Sequence, residues 1–157
     1  MTGTDVRYMQ RTRDYYRAQG YTSDYQWARH TEADFTELEN PLKESRLAIV
    51  TTAMPDTSVG KKMRTVTITA CLPPPASMFT DELSWDKENT HTRDVPSFLP
   101  IEQLAALASQ GEIGSLSPRF FSLPTEYSQN NTSEIDAPII LQECRADKVD
   151  LALLVPL

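Results

Sequence analysis

Residues 149–157 read VDLALLVPL. Leu151 to Val155 is a continuous apolar run, too short for a helix, and it reads as a β-strand lying inside a sheet. Upstream, SEIDAPIILQECRADK (133–148) combines a Ser133-x-x-Asp136 capping pattern with Pro138 near the start of a helix. Ala137, Ile140, Leu141 and Cys144 follow at i, i+3, i+4 and i+7, so they share one apolar stripe. On that stripe Cys144 is expected to act as a small buried hydrophobe and not as a reactive thiol.

Working outward, EIGSLSPRFFSL (112–123) reads as a short strand with an exit loop. LPIEQLAALASQG (99–111) is the clearest helix, with Pro100 in its first turn, Ile101, Leu104, Leu107 and Ala108 on one face, and Gly111 as its C-terminal cap. NPLKESRLAIVTTA (40–53) supplies a first strand over 46–52. Strand, helix, short strand, helix, strand is an α/β alternation. It predicts an open, mainly parallel sheet with flanking helices, Rossmann-like but incomplete, in a single domain over 1–157. In such sheets ligands bind beyond the carboxyl ends of the strands.

The remaining segments are less regular. Residues 1–40 read as a helical and aromatic strap: RYMQRTRDYYRAQGY (7–21) forms a helix capped by Gly20, and Tyr15, Tyr16, Tyr21, Tyr25 and Trp27 pack across the outside of the core. Residues 53–99 form a long loop region with a strand at 64–72, where Val66, Ile68 and Ala70 alternate with threonines. A loop of that length inside a compact domain is more often functional than decorative.

Composition narrows the function classes. With 22 acidic and 15 basic residues the net charge is −7, which disfavours the phosphate backbone of nucleic acid. Arg7, Arg11, Arg13 and Arg17 alternate with acids on a helix and read as a solvated face. Neither a secretory leader nor an apolar membrane-spanning run is legible, so a cytoplasmic protein is expected. Two cysteines, Cys71 and Cys144, make neither a disulfide framework nor a metal site.

No glycine-rich dinucleotide or phosphate loop follows the first strand, where TTAMPDTSVG (51–60) stands. A Ser58, His91 and Asp94 triad lacks any nucleophile elbow. LSWDKENTHTRDVPSFLPI (83–101) is more pointed, since Trp85, Asp86, Lys87, His91, Arg93 and Asp94 crowd into a loop just before a helix. Lys and Arg pair with carboxylates and His moves protons near neutrality, although a solvated loop anchored by Trp85 has the same composition.

The stretches 85–129 and 136–157, with PLKESRLAIVTTA (41–53) and DTS (56–58), resemble the selenoprotein B family of the glycine, sarcosine, betaine and D-proline reductases. They look more like an uncharacterised bacterial branch of that family, and residues 59–80 depart from the pattern of the better-known members. The resemblance implies an oxidoreductase subunit that cleaves a C–N bond of a small amine or amino-acid-like substrate. It places the nucleophile, a selenocysteine or cysteine, directly after the strand matching DLALLVPL, next to Leu157. Selenocysteine uses a codon otherwise read as stop, so a reading frame ended at that codon, and a chain inactive alone, are expected.

The resemblance further implies no cofactor in this chain, a pyruvoyl group on a partner subunit in some members, and a homo- or hetero-oligomer. His91 and Asp86 are the acid/base candidates; Ser58, Lys87, Arg93 and Arg119 are the substrate-binding candidates. The alternative reading is a noncatalytic binding or assembly domain that docks onto a partner through the exposed end of the final strand and the Pro-rich loop, with Leu151 to Val155 left bare without a covering helix.

Overall fold

A computed structural model describes residues 7–24, 26, 29, 31–32, 36–83, 88–125 and 128–157. The chain divides into two compact units, 1–35 and 36–157. In the first, helix α1 (Tyr8–Ala18) buries none of its residues. It ends on Gly20, whose φ of +89° only glycine adopts freely. There Gly20 N–H donates to the Arg17 carbonyl and Tyr21 N–H to the Tyr16 carbonyl, a Schellman cap. Asp24 grips the Arg17 guanidinium with two bonds of 2.8 and 2.6 Å. Tyr16 meets Tyr15 and Tyr21 edge to face, whereas Tyr25 and Trp27 lie outside the described residues.

The second unit is an α/β fold with a mostly parallel open sheet. Its central strand is β1 (Arg46–Thr51), as the apolar run predicted. The short strands β2 (Met54–Pro55), β3 (Thr67–Ala70) and β4 (Met78–Phe79) follow it. β5 (Ser115–Leu116), β6 (Arg119–Ser122) and β7 (Leu151–Val155) complete the set.

One edge of β1 carries β7 in parallel register, from Leu47↔Leu151 to Thr51↔Val155. The other edge is shared by β5 at Arg46↔Ser115 and β6 at Val50↔Phe121. The segment expected to be one short strand is thus two pieces. Ser117 N–H still reaches the Leu47 carbonyl at 2.7 Å, but Pro118 has no N–H to continue the ladder. β3 adds to β6 antiparallel, an edge strand within the predicted 64–72.

Alternation along β1 sends successive side chains to opposite faces. Leu47 and Ile49 join Phe120 and helix α2 (Ile101–Ser109) on one side; Ala48 and Val50 join Phe121 and helix α4 (Ala137–Ala146) on the other. Both faces of β1 are therefore covered, and its sequence is apolar throughout for that reason. In α2, Ile101 and Leu104 are buried and Gly111 caps the end at φ +76°, but Leu107 turns to solvent at 38% exposure.

The second predicted helix starts earlier than its capping pattern implied. Ser128 Oγ accepts the Asn131 N–H at 3.2 Å and opens a helical run through α3 (Gln129–Asn131) and a π-helical turn (Thr132–Asp136) into α4. Ser133 is consequently inside the helix and not its cap. The buried stripe is narrower than the spacing predicts: Asp136, Ile140 and Cys144 face inward, whereas Ala137 and Leu141 are exposed.

The long loop region is held by its own contacts. β2 and β4 pair antiparallel, and Asp56 accepts from both Lys61 and Ser77 at 2.8 Å. Cys71, Met78, Val95, Phe98 and Leu99 lie in the core on the α2 side, so the loop supplies much of that core. Among the described residues no helix is long and apolar enough to cross a membrane.

Candidate functional site: a groove along the last strand

Because α4 covers β1 and β6, the face of β7 next to it stays bare. An apolar groove of about 540 Å³ follows, walled by Ala152, Leu154 and Pro156 on one side and Ile140, Leu141 and Cys144 on the other. Leu154 is 69% exposed and Leu141 49%. Among the described residues β7 pairs with β1 alone, which leaves its outer backbone edge open.

The rim of the groove is the carboxyl end of the parallel strands, where Thr51, Thr52 and Leu123 meet Thr132 and Asp136 of the helical run. Thr52 Oγ1 accepts the Leu157 N–H at 2.9 Å, tying the end of β7 to the end of β1. Asp136 lines this rim at 4% exposure. The sequence pattern marked it only as a capping residue, and the π turn that carries it inward has no signature in residue spacing.

The expected site residues do not gather here. Asp86 and Lys87 lie outside the described residues. His91 and Arg93 are exposed on either side of Thr92, whose hydroxyl bonds buried Thr80 at 2.6 Å. Thr80 shares a small hollow with Thr52, so this loop is anchored next to the same rim. Arg93 itself borders a separate hollow with Glu102, Pro74, Pro75 and Pro96. Ser58 is exposed in the turn before Gly60.

Arg119 opens β6 at the opposite end of the sheet. Its guanidinium makes two bonds of 2.9 Å to Asp147 and one of 2.7 Å to Glu143. Those carboxylates hold it in its charged form well above its ordinary range, Asp147 foremost. Arg46 adds a 2.6 Å bond to the Asp147 carbonyl, so the cluster joins the starts of β1 and β6 to the end of α4.

The hydrogen bonds from Arg119 depress the Asp147 pKa below its ordinary 3.8. A depressed carboxylate contributes stability that is present above its unfolded value and is lost as pH falls through its folded value. Denaturation followed from pH 7 down through the carboxylate range should show the wild type losing about 1 kcal/mol more than Asp147→Asn. Parallel pH profiles would show that the cluster contributes nothing through charge.

Burial pushes the Cys71 thiol up to about 11 and also raises Cys144, with the Asp147 charge adding to the latter. Both stay protonated at neutral pH, and neither is poised as a nucleophile. Comparison of the chain with protein-family models, curated proteins and solved structures finds no match.

Proposed function

We propose that this chain is a subunit of a selenoprotein B-type reductase, acting in the cytoplasm, and that the groove along β7 is its substrate site. The nucleophile is a selenolate or thiolate on the residue joined to Leu157. It attacks the carbon of a C–N bond, the bonding pair leaves with nitrogen, and two electrons from a dithiol release the reduced fragment. A pyruvoyl group on a partner subunit belongs to the same proposal, as an aid to amine departure.

The observation that supports the reading is the bond from Leu157 N–H to Thr52 Oγ1, since Thr52 lines the rim of the groove. Ligands of parallel sheets bind at that end. In this reading His91 is the described acid/base candidate and Arg93 a substrate-binding candidate, on the loop that Thr92 anchors to Thr80. Thiol-dependent reduction of glycine, betaine, sarcosine and proline is expected from a version extended by Cys after Leu157 and not from the 157-residue chain. Equal activity in the two would reject the reading.

A second reading, an assembly domain without catalysis, is favoured by the bare flank of β7, where Leu153 and Leu154 are 36% and 69% exposed. Apolar surface on an open strand edge promotes association. Light scattering at low concentration decides it, since a persistent monomer counts against docking through that face.

A further inference from the structure

Among the described residues the outer edge of β7 has no strand beside it, and its chemistry selects what can pair there. Asp150 N–H reaches the Arg46 carbonyl at 2.9 Å, and the parallel register with β1 is unbroken from Leu151 to Val155. The N–H and C=O groups of successive strand residues point to opposite neighbours, so Ala152 and Leu154 direct theirs to β1 as Asp150 does, and Leu151, Leu153 and Val155 direct theirs outward. Edge strands usually discourage further pairing with a charge, a proline or a bulge. Leu151–Val155 contains no charged residue and no proline, and Leu153 and Leu154 are both exposed.

The strand complements itself when two copies run antiparallel about a two-fold axis at Leu153. Leu153 then exchanges two hydrogen bonds with its counterpart, and Leu151 exchanges two with Val155 at either end, so every outward backbone group is paired. On the face that carries the groove, the small Ala152 meets the large Leu154 of the other copy, twice over. Charge agrees with shape. Asp150 falls opposite the uncharged Pro156, and the two Asp150 carboxylates lie at opposite ends, about 20 Å apart along the strands.

We infer that β7 joins a second copy of this chain, extending the sheet through an antiparallel β7 to β7 seam centred on Leu153. The inference rests on the second reading above, association through the last strand, and names its partner. A two-fold axis normal to the sheet keeps both α4 helices on the same face, so the two grooves lie side by side.

The test is sedimentation equilibrium with disulfide trapping on the full chain. Wild type should form a dimer of twice 17.7 kDa, and a tighter one as salt screens the −7 charge of each copy. Leu153→Cys should cross-link to itself under mild oxidation, since the opposed α-carbons of a hydrogen-bonded pair stand about 5.5 Å apart. Leu154→Cys alone is beyond disulfide reach of its counterpart and should cross-link only when mixed with Ala152→Cys. Leu153→Pro keeps the ladder to β1, because the N–H it removes faces outward, and should weaken the dimer roughly tenfold or more. Should that variant not fold, the pattern of the three cysteine variants decides.

A monomer throughout the concentration series, self-linking of Leu154→Cys ahead of Leu153→Cys, or a dimer that folded Leu153→Pro leaves unchanged would each overturn the seam. The last two leave association through the chain, and the reading it belongs to, standing. Substrate reduction by a dimeric Cys-extended chain does the reverse, since it rejects the noncatalytic reading and spares the seam.

Discussion

Phe120→Ala is expected to lower the unfolding free energy by about 3–5 kcal/mol. Phe120 has no solvent exposure and lies in the core that joins Leu47, Ile49, Ile101 and Leu104. It also belongs to β6, which links β1 on one edge to β3 on the other, with Thr69 opposite Phe120 in the ladder. Removing the ring creates a void between a sheet and a helix that are both fixed by other contacts, so collapse can recover only part of the loss. A domain of this size is stable by roughly 5–15 kcal/mol, so the variant should unfold at much lower urea concentration with an unchanged slope. A loss below about 1.5 kcal/mol, the size of a well-tolerated hydrophobic swap, would mean that Phe120 is not packed as described.

Gly114→Ala should cost about 2–3 kcal/mol by overpacking. The added Cβ would press on the Glu44 carbonyl carbon and lie 2.7 Å from both Glu44 O and Ser45 N. These are backbone atoms entering β1, so no rotamer change relieves the overlap. Gly114 N–H also donates to the Leu42 carbonyl at 3.0 Å, and Ser115 N–H to the Ser45 carbonyl at 3.2 Å, which binds the two segments together. Gly111→Ala is the control: nothing lies within 4 Å of its added carbon, and only the left-handed backbone at φ +76° opposes it. About 1 kcal/mol is expected there. If thermal and urea denaturation rank Gly111→Ala as the more damaging change, the close approach at Gly114 is wrong.

Segments whose covering is the same on both faces were the most legible. Arg46–Thr51 announced itself because a strand buried on both sides needs no polar alternation. Ile101–Ser109 was visible from its spacing and from Gly111. The 3.6-residue spacing puts Cys144 on the inward stripe, where it is buried, although the helical run carrying it opens after the Ser128 cap. The miss has a definite cause, since the run is capped by Ser128, and Ser133, five residues inside it, only imitates a cap.

The breaks and small pairings were harder to read. Pro118 divides β5 from β6 only because of the partner that β5 and β6 face, and β2 with β4 is too short to show a period. Arg119 drew notice as a candidate ligand-binding cation, but its partners Glu143 and Asp147 come from a different helix, and residue spacing does not encode such a meeting. Asp136 shows the converse: its position against the groove follows from the helix phase, so composition alone made it a cap.

The pairing of β1 also sets a timetable for folding. Asp150, which receives the Arg46 N–H, lies 104 residues farther along the chain, and β5 and β6 begin about seventy residues after β1. High contact order of this kind slows folding, because wide loops must close before any strand pairing repays the lost entropy. On the ribosome, Leu47 to Val50 would emerge early and wait with no strand to pair until β5 and β6 have been made, and with one edge still open until Leu151–Val155 follows. The nascent chain therefore carries an adhesive apolar segment through most of its synthesis, and shielding by a chaperone is of greatest use during that interval.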